Sequence, residues 1–192
     1  MDYILKKRIC QFQTTLESIE ITDIKSHKLL VEDGISKVCA LLIKTREAAG
    51  NIYIVGNGGS ASIASHAVVD FINVAKLNAH TLHDSATLTC MANDYGYENS
   101  FSSILKTILK ENDILIAISS SGKSKSIINA VNVSKKNGTK VITLSGFNPQ
   151  NELRTLGCVN FWCNSSDYGM VEISHQFILH NISDRFISGV SN

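Results

Sequence analysis

Two short loops rich in glycine and serine carry the clearest chemical signal in this sequence. The first spans residues 56–60 and reads Gly-Asn-Gly-Gly-Ser; it follows the apolar run 52–55 and precedes a helical pattern. Glycines leave backbone N–H groups uncovered, so a strand, a glycine turn and a helix start together direct amides and a positive helix end at an anion. This loop is predicted to bind a phosphate.

The second loop, residues 119–124, reads Ser-Ser-Ser-Gly-Lys-Ser and follows the apolar run 113–118. Its hydroxyls form a second set of donors at a strand end. Taken alone, either loop is also compatible with an ordinary strand-to-helix turn that is capped by a serine. Neither is a Walker loop or a Gly-x-Gly-x-x-Gly dinucleotide turn. Two such loops in one small chain therefore favour a sugar phosphate over a nucleotide.

Apolar periodicity places these loops in an alternating α/β pattern. Helices are predicted over 2–18 and 23–49, before any strand, and then strands and helices alternate. Such alternation predicts a parallel sheet that is covered on both faces, with ligands bound beyond the carboxyl ends of the strands. The predicted strands are 52–55, 79–82, 113–118, 139–144 and 158–162, and the later helices are 60–72, 87–92, 99–110, 124–137 and 169–187.

Size and charge restrict the possible functions. A chain of 192 residues with a formal net charge of +1 is expected to form a single domain, 1–192, with one core. Its scattered lysines predict neither a nucleic-acid-binding nor a membrane-binding surface. No apolar run has the length of a transmembrane helix, and the N-terminus lacks the apolar core of a signal peptide. A cytoplasmic protein is expected.

The five cysteines are odd in number and show no Cys-x-x-Cys spacing. This spacing argues against a disulfide framework and against a structural zinc site. They are predicted to be reduced and mostly buried, and they are Cys10, Cys39, Cys90, Cys158 and Cys163.

The sequence resembles the bacterial phosphoheptose isomerases of the sugar isomerase (SIS) fold in the order and spacing of four motifs. These are the two loops, the Asn-Asp-Tyr-Gly-Tyr segment 93–97 and the pair His175 and His180. The resemblance covers residues 30–187. It implies a flavodoxin-like α/β fold with a five-stranded parallel sheet, two N-terminal helices and a homotetramer. Residues 1–50 would then form a helical oligomerisation region and residues 51–187 the phosphosugar-binding core.

The same resemblance implies an activity. Sedoheptulose 7-phosphate would be converted to D-glycero-D-manno-heptose 7-phosphate, which feeds heptose synthesis for lipopolysaccharide or capsule. Two alternatives stay open: isomerisation of another phosphosugar, and a non-catalytic SIS protein that acts as a tetrameric partner of the replication initiator. A sugar-phosphate-sensing regulator is a weaker alternative because no DNA-binding segment accompanies the domain.

Site residues follow from the resemblance position by position. Ser120 stands where the family usually carries Thr. Substrate contacts are implied for Asn57, Gly58, Gly59, Ser60, Asp94, Ser119, Ser120, Ser121, Ser124 and Glu172. A zinc ion would be held by His66, Asp70, Glu172 and His180. For the chemistry, Asp70 would be the general base and His180 the general acid of an aldose–ketose isomerisation through an enediol.

Helical spacing supports part of the proposed zinc set. His66 and Asp70 are four residues apart, so they share one helix face, although such pairs are often simply solvated. Glu172 and His180 are separated by about 12 Å of straight helix, near the limit of their joint reach. Either that helix is distorted, or the two residues serve different sites of the oligomer, or only one is a ligand. His175 is predicted to pack rather than to join His180.

Several positions depart from the family pattern. Asp70 replaces a Glu and Glu172 replaces a Gln, which strengthens a cation site. Ile63 and Gly169 replace Asp residues, and Val74 replaces an Arg. The fold and the phosphate site are expected to survive these changes, whereas the part of the pocket that recognises the sugar is expected to differ.

Overall fold

A mixed sheet of seven strands, flanked by seven α-helices, makes up residues 4–187, the part of the chain that the computed structural model describes. The strands are β1 (Glu20–Asp23), β2 (Lys28–Leu29), β3 (Ile52–Val55), β4 (Ala79–Thr81), β5 (Ile114–Ser119), β6 (Lys140–Ser145) and β7 (Val159–Trp162). The helices are α1 (Leu5–Glu17), α2 (Val31–Glu47), α3 (Gly59–Asn73), α4 (Ser85–Tyr95), α5 (Ser100–Ile108), α6 (Lys125–Lys136) and α7 (Tyr168–Asp184).

The strand order is β2-β1-β7-β6-β5-β3-β4. The five strands from β3 to β7 are parallel, whereas β1 pairs antiparallel with β7 and β2 pairs antiparallel with β1. The predicted α/β class is confirmed, and the five predicted strands form the parallel part of the sheet, but the prediction of a wholly parallel, five-stranded sheet was wrong because two antiparallel strands extend it. The two extra strands are short: β1 pairs with the edge of β7, with Ile21 opposite Phe161, and β2 pairs with β1.

The N-terminal region also differs from the prediction of two helices before any strand. The hairpin β1–β2 lies between α1 and α2, and α2 buries Val38 and Leu42 in the main core. Helix α1 packs outside, on α7, where Phe12 meets Phe177 edge to face with ring centroids 6.2 Å apart. The described part of region 1–50 thus contributes to the same sheet and core as the rest.

The central strands are buried on both faces. Ile52, Ile54 and Ile116 face a core that includes residues of α2, α3 and α7. Their neighbours in sequence, including Val55 and Leu115, face the opposite core, with residues of α5 and α6. Alternating side chains therefore hold helices on both faces, as expected for parallel strands.

Strand β3 is the point at which the parallel order reverses, because the chain moves from β3 to the edge strand β4 and then returns to β5 on the other side. Open α/β sheets bind ligands at such a switch point, beyond the carboxyl ends of the strands. Both glycine and serine loops lie there. None of the helices in the described range has the length and apolar character needed to cross a bilayer.

Candidate functional site

A polar cavity of about 220 Å³ lies where β3 and β5 end. Residues from both loops and from the first turns of α7 line it: Asn57, Ser60, Ile118, Ser119, Ser120, Ser121, Ser124, Tyr168 and Glu172. A larger cavity of about 570 Å³ lies on α2 beside Arg185 but contains none of the loop residues. The smaller cavity has the convergent polar groups that mark a binding site.

Glycines allow the first loop to approach α7. Gly58 has φ +55° and ψ −123°, a conformation that L side chains rarely adopt. A Cβ atom on Gly59 would collide with the carboxylate of Glu172. Helix α3 begins at Gly59, and Ser60 in its first turn is buried and lines the cavity. The positive end of α3 is thus next to the cavity, where it favours an anion.

The second loop supplies hydroxyls. Ser119 and Ser120 are buried, and the Ser120 Oγ has no hydrogen-bond partner among the described residues. Ser124 is the N-cap residue of α6, yet its side chain makes no capping hydrogen bond. Because buried polar groups are nearly always paired, the unpartnered Ser120 hydroxyl beside the cavity is available to a water or a ligand.

The described residues that line the cavity include no cationic side chain. Among the described residues that line it there is no Lys or Arg, and its single ionisable carboxyl group, Glu172, has no hydrogen bond or ion pair. Neutral hydroxyls and the α3 terminus are therefore the groups available to an anion. Glu172 is available to accept hydrogen bonds from neutral groups of the same ligand.

His66 and Asp70, from the middle and the last turns of α3, meet His180 in the C-terminal half of α7. The Asp70 Oδ2 atom lies 2.8 Å from His180 Nδ1 and 3.7 Å from His66 Nε2. The two imidazole rings meet edge to face, with centroids 4.9 Å apart. One ligand atom from each of the three residues lies within 4.8 Å of the others. Such a group can transfer protons or hold a divalent cation.

The chemistry of this group fits a cation. The Asp70 Oδ2 atom is buried and has no hydrogen bond of acceptable geometry, although His180 is close to it. His66 and His180 remain about half exposed, so the group is open to solvent on one side. The two imidazoles and the Asp70 carboxylate, whose Oδ2 atom is unpartnered, form a three-ligand set. Such a set leaves one position free, as in catalytic zinc sites.

Glu172 lies apart from this group. It is in the first turns of the same regular helix as His180, at the Gly59 end of α3, and it lines the cavity instead. The structure thus brings together three of the four predicted zinc ligands. Asp94 lies on the exposed surface of α4, where its carboxylate accepts hydrogen bonds from Asn93 and Cys90, and it is not among the residues that line the cavity.

His175 is fully buried between α7 and β6. Its Nε2 atom donates to the Ser145 carbonyl oxygen over 3.1 Å. Burial lowers the pKa of His175 to about 4, despite the opposing effect of that hydrogen bond. A neutral histidine that binds a backbone carbonyl is a packing residue, as the sequence predicted.

A hydrogen-bonded chain beside the cavity was not predicted from the sequence. Tyr97 donates to Asn57 Oδ1 over 2.7 Å, and the Asn57 amide donates to Ser124 and Ser126. His83 was also not predicted; its Nε2 donates over 3.0 Å to the carbonyl of Gly56. Tyr97 belongs to the recognised segment 93–97, but nothing in its spacing indicates a contact with Asn57.

A family model described as a SIS domain matches residues 21–146. A phosphoheptose isomerase of Helicobacter pylori is 33% identical over 190 residues, which cover 96% of this chain and 94% of that protein. One from Thermodesulfovibrio yellowstonii is 41% identical over 117 residues, or 58% of each chain.

Solved structures agree. The structure of a phosphoheptose isomerase from Neisseria gonorrhoeae superposes with a TM-score of 0.78 at 25% identity, covering 96% of this chain and 100% of that one. The model match, the relatives and the fold converge on one family.

Proposed function

The chain belongs to the phosphoheptose isomerase family of SIS-domain proteins, and we propose that it interconverts sedoheptulose 7-phosphate and D-glycero-D-manno-heptose 7-phosphate for heptose synthesis. One observation carries this proposal. The hydroxyl-lined cavity and the Asp70–His180 pair lie at opposite ends of two adjacent helices that run in the same direction, α3 and α7.

The two ends of the helix pair have different roles in this proposal. At one end, Ser60, Ser119, Ser121 and Ser124, together with the α3 terminus, bind the phosphate and orient the sugar. Gly58 and Gly59 allow the close approach, and Ser120 adds a buried hydroxyl with no protein partner. His180 lies eight residues after Glu172 on α7, about 12 Å further by helical rise, and there it meets Asp70. A phosphate that is fixed far from the reacting carbons supplies orientation, not chemistry.

Asp70 is the proposed general base. Its carboxylate takes a proton from the carbon next to the carbonyl and returns it to the former carbonyl carbon, so that the double bond shifts through an enediol. His180 protonates the carbonyl oxygen and removes the proton from the neighbouring hydroxyl. The 2.8 Å contact between the two side chains keeps acid and base next to each other.

We propose zinc as the cofactor, held by His66, Asp70 and His180, because their atoms form a three-ligand set around an unpartnered oxygen. When bound, zinc would polarise the carbonyl and hydroxyl oxygens of the substrate. Glu172 is proposed to accept hydrogen bonds from sugar hydroxyls, since it is unpaired and lines the cavity. Asp94 would contact substrate only after a movement of α4.

A homotetramer is also proposed, with active sites near subunit boundaries. The helices that carry the catalytic group expose large apolar side chains close to it. Val69 and Ile72 on α3 and Ile173 and Phe177 on α7 are 47–54% exposed. On α1, Leu5 is 74% exposed. A second copy of the chain is the expected cover, which would bring the half-exposed His66 and His180 near the boundary. Free cysteines and a phosphorylated substrate are consistent with a cytoplasmic enzyme.

Turnover in deuterium oxide tests the function. With sedoheptulose 7-phosphate, proton NMR should show the aldose product and the loss of the C–H signal next to its carbonyl, because the abstracted proton on the base exchanges with solvent deuterium before the base returns it to carbon. Fructose 6-phosphate serves as a second substrate that separates a heptose isomerase from an isomerase of another phosphosugar. Absence of both product and exchange, with and without added zinc, would refute the isomerase assignment.

A further inference from the structure

The side chain of Asn57 uses all of its hydrogen-bonding groups toward protein near the cavity. Its Nδ2 atom donates to Ser124 Oγ over 2.7 Å and to Ser126 Oγ over 2.9 Å, and its Oδ1 atom accepts from the Tyr97 hydroxyl over 2.7 Å. An amide nitrogen has two hydrogens, so Asn57 has none left for a ligand. Asn57 therefore acts on the ligand through its neighbours.

The neighbour that lines the cavity is Ser124. A serine hydroxyl has one hydrogen and can accept two hydrogen bonds. Ser124 Oγ accepts from Asn57 and lies 3.2 Å from Ser126 Oγ, where either hydroxyl can be the donor. When Ser126 is the donor, the hydrogen of Ser124 is available for another acceptor. The Ser124 side chain makes no capping bond within α6. Its hydrogen can therefore be donated to an anion in the cavity.

Tyr97 determines which way the Asn57 amide faces. A phenol hydroxyl is a stronger donor than an aliphatic one, so it holds the carbonyl end of the amide and leaves the NH₂ end facing the two serines. If the amide turned over, its oxygen would accept from Ser124, and the hydroxyl would be lost as a donor to the cavity.

The turn that carries Tyr97 is itself fixed. The Asn129 side chain on α6 donates to the Glu98 carbonyl over 2.9 Å, and the Ser100 hydroxyl donates to the Tyr97 carbonyl over 2.8 Å. Tyr97 is thus anchored to α5 and to α6, the helix that begins just after Ser124. Through its bond to Asn57, the Tyr97 hydroxyl connects the first loop to α5 and α6.

We propose that Tyr97 is a positioning residue for anion binding: by fixing the amide of Asn57, it makes the Ser124 hydroxyl a donor to the phosphate. The identity of that anion as a phosphosugar rests on the proposed function. The hydrogen-bonded relay from Tyr97 to Ser124 does not, because inorganic phosphate alone reports on it.

Titration calorimetry with inorganic phosphate tests the relay. Removing the hydroxyl in Tyr97→Phe should raise the Kd of phosphate about tenfold, since one hydrogen bond to a charged group is weakened. Tyr95→Phe, a change of the same kind in the neighbouring exposed residue, should leave the Kd unchanged. Circular dichroism melts keep loss of fold separate from loss of binding.

Two double-mutant cycles separate a relay from a general structural effect. In the Ser124→Ala background and in the Asn57→Ala background, Tyr97→Phe should add no further loss of affinity. Additive losses in both cycles, or a wild-type Kd for Tyr97→Phe, would overturn the proposal. Phosphate binding that follows this pattern without any isomerase turnover would instead refute the proposed function and leave the relay intact.

Discussion

The Asp70 Oδ2 atom lies 2.8 Å from His180 Nδ1, across the contact between α3 and α7, yet has no hydrogen bond of good geometry. This pairing joins a carboxylate and an imidazole from segments that are 110 residues apart, and His66 adds a third polar group beside them. The proposed base, the proposed acid and the candidate cation site thus coincide in one small volume.

Replacing the proposed base separates proton transfer from binding. Asp70→Asn should lower kcat by at least about 100-fold, because an amide cannot accept the substrate proton. KM should change little, since the phosphate end of the site is untouched. Asp33→Asn, on the exposed start of α2, is the matched control. If the Asp70→Asn protein isomerises at the wild-type rate, Asp70 is not the base and Glu172 becomes the next candidate.

Replacing hydroxyls at the other end should produce the opposite kinetic pattern. The double variant Ser119→Ala/Ser124→Ala should raise KM about 100-fold or more with a smaller effect on kcat, since each hydrogen bond to a charged group contributes roughly 1.5–3 kcal/mol. Ser62→Ala, on the exposed side of α3, controls for loss of a serine. An unchanged KM in the double variant would move the phosphate elsewhere.

Much of this site could be predicted from the sequence because many of its residues lie close together along the chain. The loops at 56–60 and 119–124 each follow an apolar strand directly, so their composition and place in the sheet are fixed within about ten residues. The helical spacing of His66 and Asp70 likewise predicts a shared face. Their meeting with His180 is a tertiary contact, and it was available only through the family resemblance.

The features that could not be predicted from the sequence depend on tertiary contacts. The strand Glu20–Asp23 has only four residues, and its extended form is stabilised by the β7 edge, not by local propensity. Helix α7 is regular, so Glu172 lies well away from His180 along the helix axis and lines the cavity at the ends of β3 and β5. The Tyr97–Asn57 contact depends on how a short turn packs against α6 and meets the first loop, which no spacing rule encodes.

Acid should destabilise the fold through His175. Burial lowers its pKa from 6.5 to about 4, so the unfolded chain binds the proton more readily than the folded one. This contribution is complete above pH 6.5 and falls as the pH drops toward 4, by roughly 3 kcal/mol in all. Urea unfolding of the wild type and of His175→Gln between pH 7 and pH 4 measures it. Equal pH slopes for the two proteins would show that another group is responsible.

Assembly should depend on the exposed apolar side chains of α7. Phe177→Asp places a charge on the face that is expected to meet another subunit, so it should shift the protein toward smaller species. Light scattering at micromolar concentration measures the mass. Ile24→Asp changes a similarly exposed apolar residue outside these helices and should leave the mass unchanged. A monomeric wild type would contradict the tetramer directly.

Metal content tests the three-ligand set independently of the base. Wild-type protein should bind about one zinc per chain, and His180→Ala should lose both the metal and turnover, because it removes a ligand and the proposed acid. His66→Ala should lose metal while leaving the Asp70–His180 pair in place. Glu172→Gln should retain zinc, since Glu172 lies at the phosphate end of the helix. The zinc content by elemental analysis and the isomerase activity of each variant, measured before and after chelation and re-addition of zinc, distinguish these roles. Zinc loss in Glu172→Gln equal to that in His180→Ala would return the glutamate to the ligand set and require α7 to deform on binding.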